Sequence, residues 1–135
     1  MTVKIIMTEK VVTLSQHDSY RKAQDLLRQS PFHHILIADE ENHLLGIVSD
    51  RDMMNQLAPH LSNQNSNELN DLFPRLRIAD VMTRDVITVD KETPIDAASV
   101  LLLEKNFSCL PVVNQHYKIE GILTWKDLLK YYVYS

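Results

Sequence analysis

The chain has only two glycines, and they begin matching sequences that lie 75 residues apart. Gly46 begins GIVSDRD and Gly121 begins GILTWKD. A sequence that recurs at a fixed offset encodes a repeated structural unit, so the match predicts two copies of one fold. The same offset, without a gap, aligns Met7-Thr8 with Met82-Thr83, Val11 with Val86, Thr13 with Thr88, Ala23 with Ala98, Leu26-Leu27 with Leu101-Leu102, and Phe32 with Phe107.

The length limits how the two copies can be arranged. The 135 residues suffice for one ordinary domain, or for two repeats of about 60 residues that are each marginally stable alone. Between the copies, the stretch from Pro59 to Pro74 is rich in Asn, Ser and Gln, which is typical of a surface connection. We therefore expect repeat one at 1–57, a linker at 58–77 and repeat two at 78–135, with the repeats packed into one compact module.

Composition excludes several classes of protein. An apolar fraction of 44% with 24% charged residues is typical of a globular protein, and no apolar run approaches the ~20 residues of a membrane span. We expect no signal peptide and no membrane partner. A net charge of −4 without clustered Lys and Arg argues against a nucleic-acid partner. The single cysteine, Cys109, cannot form an internal disulfide, which favours a cytoplasmic location.

Hydrophobic periodicity predicts the same order of elements, β-α-β-β-α, in both repeats, and hence a mixed α/β (α+β) fold with pseudo-symmetric halves. In repeat one the predicted elements are strand 11–14, helix 19–29, strand 34–39, strand 44–48 and helix 50–57. In repeat two they are strand 86–89, helix 94–105, strands 109–113 and 119–123, and a last helix from Trp125.

The helices of repeat two are apolar over more than one face. Helix 94–105 has an apolar band too wide for a single buried side, and the last helix adds Leu128, Leu129, Tyr131 and Val133. A monomer leaves part of this surface exposed, and large exposed apolar patches mark partner surfaces. We therefore expect a homodimer.

Each repeat ends with a hydroxyl residue followed three positions later by aspartate: Ser49 and Asp52, then Thr124 and Asp127. Each pair follows a predicted strand and begins a predicted helix. One interpretation is a capping box, in which hydroxyl and carboxylate bond to the free N–H groups of the helix start. The other is a binding turn, because a helix start attracts anions and aspartate can accept both hydroxyls of a vicinal diol such as ribose.

A basic residue occupies the same position in both turns. Arg51 and Lys126 directly precede the two aspartates, where each can meet a phosphate or simply remain solvated. Diol, base and phosphate together describe a nucleotide.

At these positions the sequence resembles the tandem cystathionine-beta-synthase-type (CBS) domain, whose paired form is called a Bateman module. The resemblance runs from about Val3 to Tyr132 and is marked by VMTRDVITV at 81–89, LPVV at 110–113 and GILTWKD at 121–127. It implies two β-α-β-β-α units packed sheet to sheet, with up to two clefts that bind adenosine-containing ligands.

Carried onto this chain, the resemblance assigns Asp52 and Asp127 to the ribose hydroxyls. It assigns Ser49 and Thr124 to ribose or phosphate, and leaves Arg51 and Lys126 as phosphate candidates. The residues that it places around the adenine are Val11, His33, His34 and Ile35 in repeat one, and Val86, Ser108, Cys109, Leu110 and Pro111 in repeat two. Asp85 is a further nucleotide-binding candidate.

Two positions depart from the family pattern. Leu36 stands where the family usually has proline, which repeat two supplies as Pro111. Trp125 replaces the small or polar residue common after the hydroxyl, and corresponds to Asp50. The indole can stack on a ligand, wall off a site or pack at a dimer contact, and we expect packing.

Other reactive residues do not assemble a catalytic centre. The six histidines have no Cys or acid at usual ligand spacing, so we expect no metal. Cys109 lacks an evident base, which makes it a small core residue and not a nucleophile. Neither glycine belongs to a phosphate-binding loop. We therefore expect no catalytic residues, no required cofactor and no enzyme.

These features predict a stand-alone regulatory module. It binds AMP, ADP, ATP or S-adenosylmethionine between its repeats and signals to an unidentified regulated protein. The alternative is a ligand-free dimerisation or adaptor module, in which the two aspartates are only caps.

Overall fold

The first eleven residues fold with the second half of the chain. A computed structural model describes residues 1–29, 33–51, 53–55, 73–105 and 107–134, and it divides into two units. We call Met1–Val11, Glu41–Leu44 and Val86–Ser135 the C-terminal unit, and Val12–Glu40 with Leu45–Asp85 the central unit.

The central unit contains a three-stranded sheet and its helices. Its elements are β1 (Thr13–Leu14), α1 (Tyr20–Gln29), β2 (His34–Ala38), β3 (Leu44–Ser49), helical residues at 50–51 and 53–55, a 3-10 turn (Phe73–Arg75) and α2 (Ile78–Val81). Strand β2 lies between β1 and β3, and β1 runs parallel to β2, with Thr13 opposite Leu36. Most of the linker and residues 56–57 of the predicted helix lie outside the described residues.

Helix α1 shows how the sequence builds this unit. Ser19 directly precedes the helix, and its hydroxyl accepts a hydrogen bond from the backbone N–H of Lys22 at 3.1 Å, which satisfies a free donor of the first turn. Ala23 and Leu27 lie one helical turn apart and are buried. The core that they join consists of Tyr20, Ala23, Leu27, Ile35, Ile37, Val48, Met53, Leu76, Ile78, Val81 and Met82.

The C-terminal unit repeats this plan. It contains a 3-10 turn (Val3–Ile5), α3 (Ile95–Lys105), β4 (Cys109–Val113), β5 (Ile119–Thr124) and α4 (Trp125–Tyr134). Strands β4 and β5 are antiparallel, with Cys109 opposite Thr124 at one end. Its core consists of Val3, Met7, Val89, Ile95, Ala98, Leu102, Leu110, Val112, Leu123 and Leu128.

The predicted strand 86–89 is wrong except at its last residue. Only Val89 pairs, in a parallel bridge to Val112, with Val89 N–H donating to Pro111 C=O at 3.0 Å. At the corresponding place in the central unit, Leu36 N–H donates to Val12 C=O at 3.2 Å. Pro111 has no N–H and cannot make that bond, so the second repeat pairs at one residue where the first has a two-residue strand.

The two glycines lie where another backbone approaches closely. Thr8 exchanges both backbone hydrogen bonds with Ile122, at 2.8 and 2.9 Å, and Thr83 does the same with Ile47, at 2.9 and 3.0 Å. A Cβ on Gly121 would lie 2.8 Å from the Thr8 carbonyl oxygen, and one on Gly46 would lie 2.7 Å from that of Thr83. In each repeat, therefore, the absence of a Cβ on glycine leaves room for the backbone of the Met-Thr segment that begins the other repeat.

The α/β fold class is confirmed. The corresponding strands and helices of the two units lie 75 residues apart in sequence, as the repeat predicts. The 3-10 turn at Val3–Ile5 and helix α2 were not predicted. Within the described residues, no helix combines the length and the apolar character needed to span a membrane.

Candidate functional site

The hydroxyl-x-x-aspartate turn of the C-terminal unit forms at the end of β5. Asp127 Oδ2 accepts hydrogen bonds from the backbone N–H of Thr124 at 3.0 Å and from Thr124 Oγ1 at 3.1 Å. In return, Thr124 Oγ1 lies 3.3 Å from the Asp127 N–H and can accept from it. This is the reciprocal geometry of a capping box. It fixes the carboxylate at the start of α4, where the helix dipole favours negative charge.

A residue from the opposite end of the chain completes this arrangement. Thr8 Oγ1 donates to Asp127 Oδ1 at 3.0 Å, and this bond is partly buried. The sequence analysis matched Thr8 with Thr83 in the repeat but assigned it no contact. The signal that could have found it is the recurrence of Met-Thr at the glycine offset, because each Met-Thr segment packs over a glycine beside a site strand.

The bonds to Asp127 determine how much more it can bind. A carboxylate offers about four acceptor positions, of which three are used here, two on Oδ2 and one on Oδ1. One further donor can therefore bind without any rearrangement. A second donor must replace an existing bond, and the Thr8 hydroxyl is the one that does not belong to the helix cap.

The remaining predicted residues of this unit surround the same strand ends. Lys126 is exposed and makes no hydrogen bond or ion pair within the described part of the chain, so its charge is available to an anion. Cys109 lies opposite Thr124 in the sheet and is buried. Pro111 is buried and accepts from Val89 through its carbonyl, while Val86 is half-buried.

In the central unit the corresponding turn is only partly described, because Asp52 lies outside the described residues. Ser49 ends β3 and is a buried polar residue, with 9% of its surface exposed. Arg51 is exposed on the helix that follows. His34 begins β2, the strand beside β3, and His33 directly precedes it.

Two predicted nucleotide-binding residues lie where the chain passes from one unit to the other. Val11 is half-buried and belongs to the C-terminal unit, whereas Asp85 is exposed and belongs to the central unit. Within the described ranges, neither side chain makes a hydrogen bond or ion pair. Their proposed roles rest on the family pattern alone.

Trp125 is held by a hydrogen bond at the start of α4. Its indole Nε1–H donates to the carbonyl oxygen of Phe107 at 2.9 Å, and 45% of the residue is exposed. The indole therefore joins the start of the helix to the segment that leads into β4. Packing at a dimer contact stays a prediction.

The described residues contain no group of three or more His, Cys, Asp or Glu side chains that could hold a metal ion. His33 Nδ1 lies 3.6 Å from Asp50 Oδ2, and His43 Nδ1 lies 3.8 Å from Glu41 Oε2. Each is a two-residue contact.

Comparison with known proteins identifies the family. The model of the CBS domain matches the chain twice, at residues 3–59 and 78–134. The chain belongs to the CBS-domain family. It is a tandem CBS pair, and the resemblance drawn from its motifs is confirmed.

Solved CBS pairs share the fold over nearly the whole chain. CBSX2 in complex with AMP is 28% identical and superposes with a TM-score of 0.82, covering 98% of this chain and 96% of that one. A CBS domain pair in complex with 5′-methylthioadenosine and S-adenosyl-L-methionine is 27% identical, with a TM-score of 0.79 and coverage of 98% and 96%.

Curated relatives include proteins much longer than this chain. A homoserine O-acetyltransferase from Methanococcus vannielii is 29% identical over 126 residues, which is 93% of this chain but 24% of that protein. A CBS domain-containing protein from Dictyostelium discoideum is 27% identical over 129 residues and is covered to 88%. The chain thus spans about a quarter of the length of the first enzyme and most of the second protein.

Proposed function

We propose that this CBS pair is a regulatory module that binds an adenosine-containing ligand and passes the signal to another protein. The observation that carries this proposal is the Asp127 carboxylate, which Thr124 and Thr8 fix with one acceptor position open. Lys126, the next residue before it, is exposed and has no ion-pair partner among the residues that the structure describes. Support also comes from the family, since one solved relative is a complex with AMP and another with S-adenosyl-L-methionine.

In the C-terminal unit, the ligand's ribose hydroxyls donate to Asp127. The first takes the open acceptor position, and the second replaces the Thr8 hydroxyl on Oδ1. Thr124 stands beside the ribose or phosphate, and Lys126 binds a phosphate. The base lies against Val86 and the segment from Cys109 to Pro111.

A corresponding site uses Ser49, Arg51, Asp52, His33 and His34 of the central unit. Val11 and Asp85 remain nucleotide-binding candidates on the family pattern. The exposed Arg51 and Lys126 favour phosphorylated ligands over S-adenosylmethionine, whose sulfonium is cationic. We also propose a cytoplasmic location, which the single buried Cys109 supports. The module itself performs no catalysis.

The test is thermal unfolding of the wild-type protein with AMP, ADP, ATP, S-adenosylmethionine and GTP, and with 2′,3′-dideoxy-AMP as the matched control. At about 100 times its dissociation constant, a ligand adds roughly 2.7 kcal/mol of stability, a shift of several degrees. We expect this shift for AMP, ADP or ATP and none for the dideoxy control, which lacks the diol. An equal shift in melting temperature for AMP and its dideoxy analogue would mean that Asp127 does not bind the ribose hydroxyls.

The adaptor function is the second candidate, and one observation favours it. The capping box is complete without any ligand, so Thr124 and Asp127 already have a structural role. A flat response to all six compounds at millimolar concentration would make the adaptor the better assignment.

We further propose that two copies of the chain associate through α3 and α4. Ser99 Oγ lies 3.2 Å from Tyr132 Oη, so these two helices are neighbours. Their outer surfaces are apolar and exposed, which is costly in an isolated chain. The residues concerned are Val100, Leu103, Leu129, Tyr132 and Val133.

A charge placed on this surface tests the dimer. Leu129→Glu is expected to convert the dimer to a monomer in light scattering coupled to size-exclusion chromatography, because it buries an unpaired carboxylate in the contact. Gln29→Glu, at an exposed position of α1, is the matched control and leaves the mass unchanged. A wild-type protein that is monomeric at micromolar concentration would refute the proposal.

A further inference from the structure

In both repeats, the residue after the site hydroxyl contacts the segment that leads into the neighbouring strand. In the C-terminal unit, Trp125 follows Thr124 and its indole N–H donates to Phe107 C=O at 2.9 Å. In the central unit, Asp50 follows Ser49 and its carboxylate lies 3.6 Å from His33 Nδ1. His33 and Ser108 correspond in the repeat, so the two contacts hold equivalent segments.

The sheet explains why this contact recurs. Cys109 pairs with Thr124 at the end of β4 and β5, so the residues just beyond this pair leave the sheet side by side. A side chain at position 125 therefore reaches the backbone at position 107. The segment held in this way ends at Cys109, and the turn opposite it contains Asp127.

The chemistry of the contact differs between the repeats. The indole bond has the length of an ordinary N–H···O hydrogen bond, carries no net charge and does not depend on pH or salt. The His33–Asp50 contact is longer than a hydrogen bond, and 77% and 65% of the two side chains are exposed. It becomes an ion pair only when the imidazole is protonated, and dissolved salt screens it.

We propose that Trp125 is a positioning residue that makes the two binding sites unequal. Its indole N–H holds the segment from Phe107 to Cys109 in place beside Asp127, so the site of the C-terminal unit is preformed. A preformed site loses less conformational entropy on binding and therefore binds more tightly. This inference rests on the proposed function, and it assigns the tighter of the two sites to the C-terminal unit.

Calorimetric titration with AMP tests the assignment. The wild type is expected to show a tight and a weak binding step, and Asp127→Asn is expected to weaken the tight one about 10- to 100-fold. Trp125→Phe keeps an aromatic ring and removes the N–H, and should weaken the tight step about fivefold, as expected for one hydrogen bond. Tyr117→Phe changes another exposed aromatic residue of the same unit and should leave both steps unchanged.

Replacing the indole nitrogen by sulfur separates the bond from the shape of the ring. Trp125 is the only tryptophan, so benzothienylalanine can be incorporated at this position alone. We expect this protein to bind like Trp125→Phe and to keep its melting temperature within about 5 °C, the effect of roughly 1 kcal/mol. Wild-type affinity in the sulfur analogue, or a tight step whose affinity Asp127→Asn leaves unchanged, would overturn the proposal.

The hydrogen bond can also be tested without ligand. If the wild type binds no nucleotide, the proposed function fails, and amide hydrogen exchange still reports on the held segment. We expect the Ser108 and Cys109 amides to exchange faster in Trp125→Phe than in the wild type. Equal exchange rates would show that the indole does not position the segment.

Discussion

Replacing Gly121 with alanine is expected to destabilise the protein by about 1–3 kcal/mol, the usual cost of forcing a methyl group into a packed position. The added Cβ would lie 2.8 Å from the Thr8 carbonyl oxygen and 3.1 Å from Met7 Sδ. The Met7 side chain can adopt another rotamer. The Thr8 carbonyl cannot move, because Thr8 is hydrogen-bonded to Ile122 through both its N–H and its C=O. The backbone pairing on this edge of β5 must therefore open.

The expected destabilisation is opposite in sign to the usual effect of this substitution. Glycine to alanine within a strand normally stabilises a protein slightly, because alanine restricts the unfolded chain. We expect instead that the melting temperature falls by roughly 3–15 °C, measured by calorimetry. Gly46→Ala should behave alike, since its Cβ would lie 2.7 Å from the Thr83 carbonyl oxygen.

Tyr117→Asn provides a control of opposite sign. Tyr117 has a φ of 62° and Asn42, its counterpart in the first repeat, has a φ of 69°. Asparagine tolerates this left-handed conformation better than tyrosine does, so the substitution should raise the melting temperature slightly. A stabilising Gly121→Ala would contradict the close approach of Thr8.

Replacing Asp127 with asparagine is expected to lower adenine-nucleotide affinity about 10- to 100-fold, because hydrogen bonds to a charged group contribute about 1.5–3 kcal/mol. Asparagine has nearly the same shape but places an amide, with its donors, where Oδ1 and Oδ2 now accept three bonds. Its single carbonyl oxygen offers two acceptor positions, so it cannot accept the two cap bonds and both ribose hydroxyls together. Stability should fall as well, by about 1 kcal/mol for the weakened helix cap.

The measurement is calorimetric titration of the two proteins with the ligand that stabilises the wild type. Asp96→Asn is the control, because Asp96 lies exposed in the first turn of α3 and is not a residue of the proposed site. Thr8→Val should lower stability while leaving Oδ1 open to the ligand. Loss of stability in Asp127→Asn without loss of affinity would mean that this carboxylate is only a cap.

The sequence predicted the fold well where local pattern and tertiary packing agree. Helix α1 and strands β2 to β5 form within a residue or two of their predicted limits, because apolar spacing and the capping residue indicate the same element. The strand at 86–89 failed because its pairing depends on an N–H that Pro111 lacks, a property of the partner strand and not of the segment itself.

The sequence predicted the residues of the turn, but not the hydrogen bonds that link the turn to distant residues. The hydroxyl-x-x-aspartate spacing identified the turn, and family membership gave it a ligand class. The bond from Thr8 was not predicted, because it joins residues 119 positions apart and only the recurrence of Met-Thr points to it. The indole bond of Trp125 was equally hidden, since the aromatic residue alone does not reveal which backbone carbonyl it meets.

The exchange of Met-Thr segments bears on how such a chain could have arisen. Thr8 lies along the strand that contains Ile122, and Thr83 along the one that contains Ile47, so each copy supplies an edge that the other needs. One copy alone would leave the N–H and C=O groups of that edge without partners. A half-length ancestor could satisfy them only as a swapped pair of identical chains. Fusion of two such genes would have made the exchange intramolecular and independent of protein concentration.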